Sequence, residues 1–215
     1  MRNTYASMIL FSIFTLLLTI GNTEAAELQS SINKYKGAEV SSRTLRQLEP
    51  YNKYIEYFSQ FTFFRKNHKV SPDFIRALII AESNVDPRAV SPKNAMGLGQ
   101  IILTTGQEAA KEISRSRFSF EYVDKEKLKN LKREDLFDPA TNILLTCYLI
   151  SKYNYKFNGK LELVLSAWNA GENHKALSDG RPVPYQETMN LIGKINGYYI
   201  SLLQKKKRIT IYSRP

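Results

Sequence analysis

From Leu45 to Phe64 the aromatic residues Tyr51, Tyr54, Tyr57, Phe58, Phe61 and Phe64 recur at spacings of three and four. That period predicts an amphipathic helix laid against a core, with an aromatic ligand-binding face as the alternative. Ser71, Pro72 and Asp73 then read as a helix start: a capping hydroxyl, a proline in the first turn and an early acid. The apolar run behind them predicts a helix to about Ser83. Thr104 or Thr105 is expected to cap a further helix through Ile113. Residues 114–137 are charged and irregular, and predict a surface excursion with a short helix at 124–131. A long apolar helix is expected from about Pro139 to Phe157, broken at Asn158-Gly159, and another from Leu161 to Ala170, stopped by Gly171. Beyond a Gly/Pro loop the last helix should run from about Tyr185 to Gln204. No pair of segments alternates as strands do, and no repeat recurs. The domain is mainly α.

The two ends add compartment and charge. Residues 1–25 join Arg2, an apolar run from Met8 to Ile20 and the small residues Thr23 and Ala25, the layout of a signal peptide cut after Ala25. The run is short of the roughly 20 residues of a spanning helix, so no integral membrane span is expected after cleavage. Residues 26–44 are polar, Ser/Lys-rich and weakly periodic, and read as a flexible lead-in. Residues 45–204 form the domain, and 205–215 a basic tail that opens with "KKKR". The chain has 215 residues and a formal charge of +11. That excess favours a polyanionic partner, and export makes a wall or membrane surface a better candidate than nucleic acid. Cys147 is the only cysteine, so no internal disulfide is available. With two histidines and no clustered ligands, neither a metal nor a cofactor is expected.

Glu82 breaks the pattern. At about 100° per residue from Pro72, it falls between Leu78 on one side and Ile75 and Ile79 on the other, inside the stripe that should face the core. It also lies in the last turn, where the helix dipole disfavours an anion. Desolvation and dipole both favour the neutral acid, so its pKa should be raised. A carboxyl that keeps its proton near neutral pH suits general-acid cleavage of a glycosidic bond. A buried Glu paired with Lys or Arg would satisfy the same pattern.

Downstream, Pro87 and Pro92 stiffen the loop to Gln100. Gly97 and Gly99 flank Leu98 in "GLGQ" and leave room for backbone to approach a ligand. Gln100 offers a donor and an acceptor to a sugar, although a tight turn would explain the motif equally. In "AWNAG", residues 167–171, Asn169 and Gly171 are ordinary helix-end residues. Trp168 is either core or a flat platform for a sugar face.

Together, Glu82-Ser83, Gly97-Leu98-Gly99-Gln100 and Ala167-Trp168-Asn169-Ala170-Gly171 resemble, in order, three motifs of the soluble lytic transglycosylases, lysozyme-like enzymes that cleave peptidoglycan. "DPRAVSP", "LFDPATNILLTCYL" and "PYQETMNLI" agree as well, and the likeness covers roughly residues 68–204. It implies a goose-type-lysozyme-like helical domain with little or no β structure. Several positions depart from the family: Gly99 replaces a methionine, Asn94 a turn glycine, Ile102-Leu103 a Met-Pro pair, and Trp168 and Leu191 two tyrosines. Tyr148 matches a family tyrosine on the long helix.

The resemblance implies that Glu82 is catalytic, as acid and then base, in cleaving the MurNAc-GlcNAc bond with formation of a 1,6-anhydro ring. Ser83, Gln100, Tyr148, Trp168 and Asn169 would bind substrate or hold the acid. Glu172 and Glu187 are the candidates for a second acid. The expected partner is the glycan strand of peptidoglycan, met by a monomer in the periplasm or outside the cell, with a secretion or conjugation apparatus as a further partner. The alternatives are a muramidase that uses water, a wall-binding assembly factor without activity, and a basic nucleic-acid binder.

Overall fold

The structure, a computed structural model, describes residues 24–212 except Asn67, with side chains described up to residue 207. The signal segment falls outside this range up to residue 23. Helices dominate: α1 (24–35), α2 (Ser42–Leu48), α3 (Asn52–Ser59), α4 (Pro72–Ser83), α5 (Leu103–Ser114), α6 (Lys125–Leu128), α7 (Pro139–Lys156), α8 (Leu161–Ala170), α9 (Lys175–Ser178) and α10 (Gln186–Tyr212). The strands β1 (Ala95–Met96) and β2 (Ile101–Ile102) pair antiparallel, Ala95 opposite Ile102.

The long helix α7 is the axis of the core. Its residues from Ala140 to Ser151 are all buried, because α3, α5 and α8 each cover part of its surface. It starts where sequence predicts: Asp138 accepts from Thr141 N at 2.8 Å, with Pro139 in the first turn. α4 likewise starts at Ser71, whose hydroxyl accepts from Phe74 N. It lies along α10, which also packs on α8. Glu82 is thus carried at the end of a helix held on two sides.

Three expectations need correction. The stretch 26–44 is largely helical rather than a flexible lead-in. Its polar sequence hides a docking surface: α1 lies so close to α10 that a Cβ on Gly193 would come within 2.5 Å of Ser31 O. Val40 N donates to Ser201 Oγ at 3.0 Å and holds the segment's other end. The aromatic run 45–64 is not one helix, since Pro50 interrupts it with a 3-10 turn, Glu49–Tyr51, and α3 ends at Ser59. The last helix passes the expected end at Gln204, so 205–212 continues α10.

Candidate active site

Behind α4 the backbone turns sharply, with Asn84 and Val85 both at positive φ (52° and 66°). A β-branched residue there is strained, and Val85 is buried in that state. The turn sends the chain through 86–94 to the β1–β2 hairpin, leaving Glu82 at the edge of a cavity of about 250 Å³. Gln100, Trp168 and Asn169 line the same cavity, with Lys93, Tyr153 and Glu187. Four of the six site residues expected from sequence therefore meet.

Burial pushes the Glu82 carboxyl up, and the neighbouring charge of Glu187 adds to it. Lys194 and a hydrogen bond from Trp168 pull the other way, and the balance is about 7. That bond is the central contact of the site: Trp168 Nε1 donates to Glu82 Oε1 at 2.7 Å. The indole is neither plain core nor solely a platform. Because an indole N–H can only donate, Oε1 is held as an acceptor and the carboxyl proton belongs on Oε2.

The "GLGQ" turn is built for a different reason than expected. A Cβ on Gly97 would lie 2.3 Å from Leu136 O and 2.4 Å from Asn142 Nδ2, and one on Gly99 would lie 2.2 Å from Thr146 Oγ1. The glycines admit α7, not a ligand. Asn142, fully buried, fastens the turn: its Oδ1 accepts from Gly99 N at 2.8 Å, and its Nδ2 donates to Met96 O and Leu136 O at 3.0 and 2.8 Å. Gln100 sits at φ 52°, and its amide donates to Ala89 O and Gly97 O. Its donors are thus engaged by its own loop, and the side-chain oxygen is the atom left to accept from a ligand. Asn169 is similarly held, donating to Thr188 Oγ1 at 2.8 Å.

Two expected site residues do not reach the cavity. Ser83 is buried and its hydroxyl donates to Ile79 O, because it lies one helical step past Glu82 on the packed face. Tyr148 OH donates to Glu112 at 2.7 Å and its ring packs on Phe63 and Phe64. The cleft tyrosine is instead Tyr153, which with Leu149 forms an i,i+4 pair on the cleft side of α7. Its hydroxyl makes no hydrogen bond to the described residues, and burial raises its pKa. Thr105, read from sequence as a possible cap, also lines the cavity, since α5 starts earlier, at Leu103. A helix apolar on every side gives no periodic signal to choose Tyr153 over Tyr148.

The two further acids separate. Glu172 is paired with Lys152 and Lys156 at 3.3 and 2.6 Å. Although burial opposes it, those lysines bring its carboxyl below the ordinary range. Glu187 lines the cavity and pairs with Lys93 at 2.6 Å. Among the described residues no group of His, Cys, Asp and Glu side chains could hold a metal ion, and no helix is long and apolar enough to cross a membrane.

Comparison with known proteins identifies the lineage: the sequence pattern of the transglycosylase SLT domain matches residues 60–181. The chain belongs to the SLT domain family. A provisionally named soluble lytic murein transglycosylase of Haemophilus influenzae is 29% identical over 177 residues, covering 76% of this chain and 27% of that protein. The 70 kDa soluble lytic transglycosylase of Escherichia coli superposes with a TM-score of 0.57 at 21% identity, over 73% of this chain and 24% of that one. Lytic transglycosylase Slt of Pseudomonas aeruginosa, solved as an inactive mutant, gives 0.51 at 20% identity, over 76% and 24%. The chain spans about a quarter of the length of these relatives. Its fold is the lysozyme-like one of the SLT transglycosylases.

Proposed function

We propose that this SLT domain is a peptidoglycan lytic transglycosylase in which Glu82 acts first as acid and then as base. The observation that carries the reading is a mostly buried carboxyl with a pKa near 7, held by Trp168 in a cleft that also presents Gln100 and Asn169. At neutral pH such a group is populated in both protonation states, as a residue that gives and then takes a proton requires. The proton on Oε2 passes to the oxygen joining MurNAc to GlcNAc as the bond to the muramic C1 breaks. The carboxylate left behind takes the proton of the muramic C6 hydroxyl, whose oxygen closes on C1. The acid is regenerated and no water is consumed. Tyr153, Gln100 and Asn169 would hold the sugar hydroxyl and amide groups.

The names of the relatives, lytic murein transglycosylases, support the substrate class. The inactive Pseudomonas protein carries glutamine in place of one glutamate, the same exchange that Glu82→Gln makes here. Purified Glu82→Gln should leave peptidoglycan uncleared in a zymogram while keeping its fold. A variant that still clears the gel would end the reading. Hydrolysis by water is the second reading, favoured by Glu187 on the same cavity, since ordinary glycosidases flank the bond with two carboxylates. Mass spectrometry separates the two, because anhydro products are lighter by one water. Export by residues 1–25 and service to a secretion or conjugation apparatus belong to the same proposal. Fractionation of cells carrying the tagged full chain tests export, and co-purification tests the partner.

A further inference from the structure

A second, smaller pocket of about 110 Å³ opens on the far side of α7. Ser151, which lines it, is two positions from both Leu149 and Tyr153, roughly 200° around the helix. The pocket and the catalytic cleft therefore share a helix but not a face. Its volume suits a single group of a few heavy atoms.

Ser151 is 8% exposed, yet its Oγ has no hydrogen-bond partner. A hydroxyl buried in that state has lost its bonds to water and gained none in return. Over it stand three basic side chains from the loop after α3. Arg65 rests on the ring of Tyr155 at 5.5 Å, and Lys69 Nζ donates to the neutral Gln60 Oε1 at 2.8 Å. His68 Nδ1 lies 3.1 Å from Lys66 O. No carboxylate among the described residues pairs with Arg65 or Lys69, whereas on the same stretch of α7 Lys156 pairs with Glu172 and Lys152 with both Glu112 and Glu172.

A chain of net charge +11 leaves many cations unpaired, so an isolated surface lysine would carry nothing. Here two cations and an imidazole, all exposed, line one concavity that a buried, unsatisfied donor also lines. The C-terminal end of α7 opposes an anion with roughly half a negative charge, which two full positive charges outweigh.

We propose that this pocket binds a small oxyanion, a carboxylate or phosphate group, with Arg65 and Lys69 supplying the charge and Ser151 Oγ donating from the floor. Arg65 can meet two oxygens at once, Lys69 acts as a point charge, and the hydroxyl takes up the oxygen between them.

The test is a titration of the isotope-labelled full chain with inorganic phosphate and, separately, sodium acetate at constant ionic strength, followed by amide NMR. Saturable shifts centred on Ser151, Tyr155 and Gly159 are expected with at least one probe, and the probe that saturates tells phosphate from carboxylate. Arg65→Gln with Lys69→Gln should weaken that binding by about tenfold or more, and Ser151→Ala by a few fold. Thermal melts verify that each variant is folded. Glu82→Gln should leave the titration unchanged, which keeps this site independent of the cleft. Shifts that never saturate, or variants that bind as the parent does, would overturn the proposal.

Discussion

The two walls of the cleft are positioned by different means. On one wall Glu82 is carried by α4, a helix with its own cap, proline and apolar stripe. On the other, Gln100 stands on a loop whose shape is imposed by Asn142, bonded to Gly99 from 43 positions along the chain. A helix brings its residues into register by local periodicity, so its functional side chain can be placed from a dozen neighbouring letters. A loop has no such rule and is held only by what reaches it in the folded state. Damage to the first wall should remove chemistry with the fold intact, and damage to the second should remove the fold of the site.

The largest effect belongs to the first wall. Glu82→Gln should reduce peptidoglycan cleavage by about 10²–10⁴-fold or more, the usual weight of a positioned general acid. Its stability should move the other way. The folded carboxyl titrates near 7 against an ordinary value of 4.5, so the unfolded chain ionises first as pH rises. The parent therefore loses stability between these values, by about 3 kcal/mol in total. Glutamine keeps the acceptor for Trp168 and abolishes the titration. Glu82→Gln should thus melt higher than the parent at pH 8 and alike at pH 4, and equal melts at both would contradict the buried acid.

Asn142→Ala attacks the second wall. It strips partners from Gly99 N, Met96 O and Leu136 O in a buried site. A loss of about 3 kcal/mol or more is expected in denaturant unfolding, at 1–3 kcal/mol for each group left unsatisfied. An unchanged midpoint would show that the loop holds itself.

Smaller effects refine the first wall. Trp168→Phe removes a donor to Glu82, and since that bond lowers the acid's pKa, the alkaline limb of the rate profile should shift upward from about 7. The rate itself should fall by about tenfold, and Trp168→Tyr should recover part of both. An unmoved limb would reduce Trp168 to packing. The smallest contrast lies along α7. Tyr153→Phe should lower kcat/KM by several fold without changing the melt, whereas Tyr148→Phe should leave activity alone and lose about 1 kcal/mol from its bond to Glu112. Reversed outcomes would return the cleft hydroxyl to Tyr148.

Much of this was readable from residue order. Ser71-Pro72-Asp73 starts α4 where predicted, Asp138-Pro139 starts α7, and Leu161–Ala170 has the expected ends. Caps and prolines act within a turn, so a window of letters contains their whole cause. The raised pKa of Glu82 was legible for the same reason, because stripe position and helix end are both local properties. Ser83 and Tyr148 misled because membership of a motif does not say which way a side chain points. The helical content of 24–35 escaped because its stability comes from α10, more than a hundred residues away.

Sequence by itself determined α4, α7 and α8, the acid on the packed stripe and the order of the motifs, since each depends on neighbours within about one or two turns. Tertiary structure alone decided that Trp168 donates to Glu82, that Asn142 shapes the "GLGQ" turn, and that Tyr153 faces the cleft. The first two contacts join residues 86 and 43 positions apart, and only packing of the whole chain brings such pairs within hydrogen-bonding reach.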